Sequence, residues 1–322
     1  MRKFTDNANI HIDLKKILHE YNDFLITSHI RPDGDAVGSI LGLGIALNEF
    51  GKNVQLVLTD GVPNKFRFLN SSELIKTHIQ NNYEVLIVLD CADMKRLGKI
   101  FNNKIPDVNI DHHITNENFA RINLVDTESS ATSAILAENM AHWGLTISKT
   151  CAEALLMGII TDTIGFRTSN MTAKTLTLAA QLMDFGADIT PIYNKALVNQ
   201  NMQSARLWGL SLCKLQKKDK LIYTSITLDD RHKAGYTGKD DADLTNILST
   251  IEDGEISILF NEQSNDCVKV SWRSNGKINV ATLAQQFGGG GHPAAAGAEV
   301  KGSLKNTISR VLEETIKYQN SI

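Results

Sequence analysis

Between Ile26 and Thr163 the chain carries four clusters of reactive side chains: His29-Ile30-Arg31-Pro32-Asp33-Gly34-Asp35, Leu89-Asp90, Asp111-His112-His113 and Thr161-Asp162-Thr163. Together they offer two or three imidazoles and four or five carboxylates, enough to hold two divalent metal ions. A site with two cations suits in-line displacement at phosphorus, because it can stabilise both the attacking and the leaving oxygen. Taken singly, each cluster is ordinary. A His and two Asp in a turn are commonly solvated, an Asp after a strand commonly caps a helix, and Asp-His-His can be a surface turn. The four share one property: each follows a hydrophobic run, where a strand or buried helix would end. That shared position makes them a candidate metal centre.

The elements that must position them follow an alternating pattern. Apolar runs at 24–27, 54–58, 85–89 and 108–110 read as strands, two of them nearly continuous in Val, Ile and Leu, as in strands buried on both faces. Helical patterns cover 36–50, which stops at Gly51, then 131–143, 149–160 and 173–185, which stops at Gly186. This is βαβ grammar and predicts an α/β fold: a parallel sheet covered by helices on both faces. In such sheets ligands gather outside the carboxyl ends of the strands, where His29, Asp90 and Asp111-His112-His113 all fall. Asp90 would emerge at the end of its strand, placed to bridge two metals. Asp162 ends an apolar helix, where a charge requires a partner.

A polar helical stretch, 189–215, reads as a linker between a domain at 1–188 and a smaller α+β domain at 216–322. The second domain has strands at 221–226, 256–260 and 268–272, a helix at 280–287, the loop Gly288-Gly289-Gly290-Gly291-His292-Pro293, a further strand and a terminal helix. Length (322 residues), 42% hydrophobic and 21% charged residues describe an ordinary globular chain. The formal net charge of −3 favours small anionic substrates over long nucleic acid, whose binders usually present a basic face. There is no apolar stretch of about 18 residues to span a membrane and no apolar secretory signal core. Cys91, Cys151, Cys213 and Cys267 form no Cys-x-x-Cys pair, which fits reduced thiols in a cytoplasmic protein.

The order His-x-x-x-Asp-x-Asp, strand-Asp, Asp-His-His, Asp resembles the DHH phosphoesterase superfamily, and the Gly-Gly-Gly-Gly-His-Pro loop resembles the signature of the DHH-associated C-terminal domain. The resemblance covers nearly the whole chain, and the length and two-domain layout are similar to the nanoRNase/pAp-phosphatase branch. It implies that His29, Asp33 and Asp90 bind one metal, and that Asp35, Asp90, His112 and Asp162 bind the other, with Asp90 bridging. His113 would contact the scissile phosphate, and Asp111 would orient a neighbouring ligand. Oxygen-rich donors with imidazoles favour Mn²⁺, two per site, with Mg²⁺ or Co²⁺ as substitutes. A water acidified by both cations is the expected nucleophile.

Substrate contacts are expected from Arg96, six residues beyond Asp90, and from Thr163, directly after a ligand. In the second domain the resemblance makes Arg273, Ser274, Gly289, Gly290 and His292 candidates for the far end of the substrate. Glycines let backbone N–H groups approach an anion. Trp272 and Phe287 read as core, Ser129-Ser130-Ala131-Thr132 as a helix cap, and His11, His19, His78, His142 and His232 as surface residues without partners. The reading is a manganese-dependent phosphodiesterase that degrades short oligoribonucleotides to mononucleotides, with pAp as a second substrate. Its alternatives are a cyclic di-AMP/pApA phosphodiesterase, a RecJ-like single-strand exonuclease, and a non-catalytic nucleotide sensor. The glycine-rich loop argues against a family II pyrophosphatase, and the full set of ligands argues against the sensor. The sequence leaves open whether two chains pair as a homodimer.

Overall fold

The computed structural model describes residues 7–98 and 104–320, with the side chains of Asn7, Ala8, His292 and Asn320 outside that description. The chain divides into two compact units between Asn199 and Gln200. The stretch 189–215 contributes to both: Ile192 and Ala196 are buried in the core of the first unit, and Leu207 in that of the second.

In the first unit α1 (Asn7–Glu20) leads into β1 (Asp23–Thr27), α2 (Gly34–Glu49), β2 (Asn53–Val57), β3 (Ile75–Lys76), β4 (Val85–Leu89), β5 (Val108–Asp111) and β6 (Ile122–Val125). Helices α3 (Thr132–Asn139), α4 (Lys149–Asp162), α5 (Ala173–Asp184) and α6 (Ile189–Tyr193) complete it. The six strands form one sheet in the order β3-β2-β1-β4-β5-β6, with every neighbouring pair parallel. The central strand β4 is buried at all five positions, which is why its sequence is uniformly apolar. The order reverses between β1 and β4. Chain leaving the carboxyl ends of those two strands diverges and opens a crevice there. His29 follows β1, and Asp90 follows β4.

One sheet face packs on α1 to α6 through a large core containing Phe24, Ile26, Ile87, Ile110, Leu155 and Ile159. The other face carries a smaller cluster of Leu25, Val57, Leu86 and Val88, covered by a 3-10 turn at Met94–Leu97 and by Ile79, Tyr83 and Phe119. Helices α2 and α4 meet at backbone distance. A Cβ on Gly38 would lie 2.5 Å from the Ala154 carbonyl oxygen, and one on Gly158 would lie 2.0 Å from Ser133 Oγ. Only glycine permits this approach, and it draws the start of α2 towards the end of α4.

Some boundaries differ from the sequence pattern. The helix expected over 131–143 stops at Asn139, and the turn beyond it buries Trp143. The Trp143 indole N–H donates to His11 Nδ1 at 3.2 Å, and His19 Nε2 lies 2.8 Å from the Trp143 carbonyl oxygen. His11 and His19 are therefore not partnerless: they tie α1 to the turn, a contact invisible until α1 itself is known.

The second unit runs α7 (Met202–Leu212), β7 (Gln216–Lys218), β8 (Leu221–Ile226), α8 (Leu228–Ala234), α9 (Leu244–Leu248), β9 (Ile256–Gln263), β10 (Cys267–Ser274), α10 (Val280–Gln286), β11 (Gly290–His292), β12 (Ala295–Lys301) and α11 (Leu304–Asn320). Its mixed sheet has the order β11-β12-β10-β9-β8-β7, with only β8 and β9 parallel. Burial alternates along β10, so Val268, Val270 and Trp272 enter the core with α10 and α11 while Arg273 lies on the opposite face. Among the described residues no helix is long and apolar enough to cross a membrane.

Candidate active site

Four local structures aim the first unit's donors at one place. Asp33 is the N-cap of α2, and its Oδ1 accepts the N–H groups of Asp35 and Ala36 at 3.1 Å each. The cap leaves Asp35 in the first turn of α2, buried to 1% exposure. There both its carboxylate oxygens meet the N-terminus of α3, accepting N–H from Thr132 (2.6 Å) and Ser133 (2.9 Å). Unpaired N–H groups and the helix dipole make that end a natural partner for an anion. Asp90 has a left-handed backbone (φ 53°), a conformation that costs a non-glycine residue of order 1–3 kcal/mol. It is held by the Asp90 N–H donating to the Ile110 carbonyl (3.0 Å) and by Ser28 Oγ donating to the Asp90 carbonyl (3.3 Å). Asp162 is the last residue of α4.

The donors converge. His29 Nε2 lies 3.7 Å from Asp90 Oδ2 and 3.8 Å from Asp33 Oδ2. On the other side His112 Nε2 lies 3.7 Å from Asp90 Oδ1 and 3.6 Å from Asp162 Oδ2. The sets His29/Asp33/Asp90, Asp35/His112/Asp162 and Asp90/His112/His113 each bring three ligand atoms within 4.8 Å of one another. Two ligand atoms each about 2.1 Å from one ion are at most about 4.2 Å apart, so the observed separations suit shared coordination. Asp90 Oδ1 accepts the Thr132 hydroxyl at 3.1 Å, whereas Asp90 Oδ2 is buried without a hydrogen-bond partner. A buried carboxylate oxygen in that state costs free energy unless a cation meets it. His29 Nδ1 lies 2.8 Å from the Ile30 carbonyl oxygen and 3.0 Å from Arg96 Nη2, so Nε2 is the ring nitrogen turned towards the carboxylates, where a metal would meet it.

The electrostatics point the same way. Burial, with the Asp90 charge beside it, pushes the Asp35 carboxyl up to about 7. Asp162 is raised well above the usual carboxylate range by burial and then by Asp35 and Asp90. Burial disfavours the His29 imidazolium, yet the carboxylates of Asp33 and Asp90, 3.8 and 3.7 Å from Nε2, outweigh it and lift the group to about 10. Negative groups are crowded here against the imidazoles and the Arg96 guanidinium beside His29, and divalent cations would offset their mutual repulsion. Both the donor chemistry and the unpartnered oxygen fit such ions.

Asp111 and His113 form a pair beside these donors, with His113 Nδ1 2.7 Å from Asp111 Oδ1 and 3.7 Å from Asp90 Oδ1. Burial opposes the His113 cation, but its bond to Asp111 and the nearby Asp90 raise it to about 9. Arg96 is half-buried in the 3-10 turn, with Nη2 3.0 Å from His29 Nδ1, so it borders the donors. Thr163, expected at the phosphate, is instead fully buried. Its hydroxyl donates to the Ile159 carbonyl (2.7 Å) and accepts the Phe166 N–H (3.0 Å), closing the end of α4.

In the second unit Arg273 and Ser274 line a cavity of about 270 Å³ with Ser249, Ser257 and Asn275. Arg273 Nη1 donates to the Trp272 carbonyl at 3.1 Å, and Ser274 Oγ to the Ile278 carbonyl at 2.6 Å. The glycine-rich segment is not wholly a loop: Gly290, Gly291 and His292 pair with β12 as the sheet's edge strand. A Cβ on Gly289 would lie 2.1 Å from the Gly297 carbonyl oxygen, whereas one on Gly290 meets open space. The side chain of His292 lies outside the described residues. Thr132 and Ser133 were missed as site residues, although Ser129-Ser130-Ala131-Thr132 marks the helix start that supplies them. Asn109 and Asn116 had no signal beyond their closeness to Asp111-His112-His113.

Residues 23–159 match the DHH family, N-terminal domain, and residues 218–318 match the DHHA1 domain. With that pair of domains, and a relative 32% identical along most of its length, the chain belongs to the DHH family of phosphoesterases. Within the family it falls in the branch of the NrnA proteins. That relative is the bifunctional oligoribonuclease and PAP phosphatase NrnA of Thermus thermophilus, matched over 292 residues, 89% of this chain and 87% of that protein. The NrnA of Mycoplasma genitalium is 28% identical over 313 residues, 93% and 95% of the two chains. The crystal structure of an exopolyphosphatase-related protein from Bacteroides fragilis matches with a TM-score of 0.90 at 27% identity, covering 98% of each chain.

Proposed function

We propose that this chain is a metal-dependent phosphoesterase that degrades short oligoribonucleotides to mononucleotides and removes the 3′-phosphate from pAp, using two Mn²⁺ ions. The observation that carries this reading is Asp90, a buried carboxylate with one unpartnered oxygen, flanked by His29 and Asp33 on one side and by His112 and Asp162 on the other. The NrnA relatives, named for these two activities, support the choice of substrate. The four cysteines are free, in keeping with a reducing, cytoplasmic setting.

His29, Asp33 and Asp90 would hold one ion, and Asp35, Asp90, His112 and Asp162 the other. When bound, such ions polarise phosphoryl oxygens and make water nucleophilic at neutral pH. The protein's own part is positional. The α3 N-terminus fixes Asp35, and the Thr132 hydroxyl fixes Asp90 Oδ1, leaving Oδ2 directed at the His29 side. His113, oriented by Asp111, would meet a non-bridging phosphate oxygen or give a proton to the leaving group. Arg273 in the second unit would bind a phosphate as a bidentate cation.

The test is Mn²⁺-dependent mononucleotide release from an RNA dinucleotide, beside pAp, cyclic di-AMP, pyrophosphate and a long single-stranded DNA. Rapid cleavage of the dinucleotide and pAp, abolished by chelator, is expected. Preference for the long strand or for cyclic di-AMP would replace this substrate class, and silence on all five would end the enzymatic reading.

A further inference from the structure

Behind Asp111 and His113 lies a chain of amides that the reaction scheme above does not use. Asn109 on β5 is fully buried, and its Nδ2 donates to the Val88 and Cys91 carbonyls at 3.3 Å each. That leaves its Oδ1 turned to Asn116 Nδ2, 2.8 Å away. Asn116 Nδ2 also lies 2.5 Å from Asp111 Oδ2 and 3.3 Å from the Cys91 carbonyl. The amide cannot be turned round, because Asn116 Oδ1 accepts the Asn118 N–H at 2.7 Å. The other oxygen of Asp111 accepts the His112 N–H at 2.9 Å and His113 Nδ1 at 2.7 Å. Asp111 is therefore gripped at both oxygens, and Asn116 supplies the grip on Oδ2.

We propose that Asn116, set by Asn109, is a positioning residue. It fixes the plane of the Asp111 carboxylate and, through it, the tautomer and direction of His113. The inference rests on the reading of His113 as the group that meets the scissile phosphate. A neutral donor suits this role, because an arginine or lysine would neutralise Asp111, whereas an amide orients the carboxylate and leaves its charge to hold the imidazole. Removing a group that orients a catalytic or metal-binding side chain typically lowers activity about 10–100-fold.

The test compares wild type, Asn116→Ala, Asn116→Asp, Asp111→Ala and the Asp111→Ala/Asn116→Ala double variant on an RNA dinucleotide with Mn²⁺, recording kcat, KM, bound metal and melting temperature. Asn116→Asp keeps the acceptor for the Asn118 N–H, loses the amide donors to Asp111, Asn109 and the Cys91 carbonyl, and sets a second carboxylate against Asp111 Oδ2. Both Asn116 variants should lose about 10–100-fold in kcat with KM and bound metal nearly unchanged. The double variant should be no slower than Asp111→Ala alone, since residues acting through one another are not additive. If Asn116→Ala folds poorly, the nearly isosteric Asn116→Asp carries the comparison. Asn116→Asp turning over within about threefold of wild type would reduce Asn116 to a loop brace and overturn the proposal. So would a double variant whose losses multiply. A wild type silent on the dinucleotide would overturn the function and this inference together. An active wild type matched by its Asn116 variants would overturn the inference alone.

Discussion

The two units treat their polar side chains differently. In the first, Asp33, Asp35 and Asp90 each use part of their hydrogen-bonding capacity on the fold and still stand within the cluster of imidazoles and carboxylates. Asp90 Oδ2 is the extreme case, buried and unpartnered. In the second unit the candidate side chains are engaged in holding the fold together: Ser274 on Ile278, Arg273 on Trp272. A site built for cations concentrates unsatisfied acceptors in a buried place, at a cost in stability the surrounding fold must carry. A site built to grip an anion keeps donors near solvent, where they lose little when empty. The first kind should fail completely when one member is removed, and the second should fail by degrees.

The largest effect is therefore expected at Asp90. Asp90→Ala removes the one carboxylate shared by both donor sets and should lower turnover on every substrate on the order of 10³-fold or more. Calorimetric titration with Mn²⁺ should show fewer bound ions. Near-normal turnover in this variant would mean the metals sit elsewhere, and the contrast between the units would collapse.

Arg273→Ala should be milder and different in kind. With the donors of the first unit untouched, KM for the dinucleotide should rise about tenfold or more while kcat stays within about threefold, the pattern of lost uniform binding. Equal metal content in variant and wild type completes the check. A collapse of kcat at constant KM would instead place Arg273 at the reacting bond.

What the sequence revealed and what it hid follows the same division. His29, Asp90 and Asp111-His112-His113 were legible because each ends a run of strand residues, and strand ends in a parallel sheet gather ligands. Asp162 was legible as a charge ending an apolar helix. Thr163 misled: following Asp162 in sequence says nothing about direction, and its hydroxyl turns back into α4. The backbone N–H groups of Thr132 and Ser133 could not be seen, since they reach Asp35 only because α2, α3 and α4 pack together at Gly38 and Gly158. Edge strands β3, β6 and β11 were missed because they are short or made of glycine, where alternation carries little information.

The glycine-rich segment lets the comparison be tested within four residues. Gly289→Ala would drive a methyl group against the Gly297 carbonyl and the Ala298 side chain, backbone and neighbour together. Overpacking of this kind typically costs about 1–3 kcal/mol, which should appear as a lower melting temperature for the second unit. Gly290→Ala meets open space on an edge strand, and its effect on stability should stay within about 0.5 kcal/mol. Any change it makes to KM must then come from a ligand that approaches the β11 backbone closely. A rise in KM for Gly290→Ala at unchanged melting temperature would make β11 part of the anion grip. Unchanged KM would leave the run of glycines explained by strand packing alone, with Arg273 carrying the second unit's share of binding.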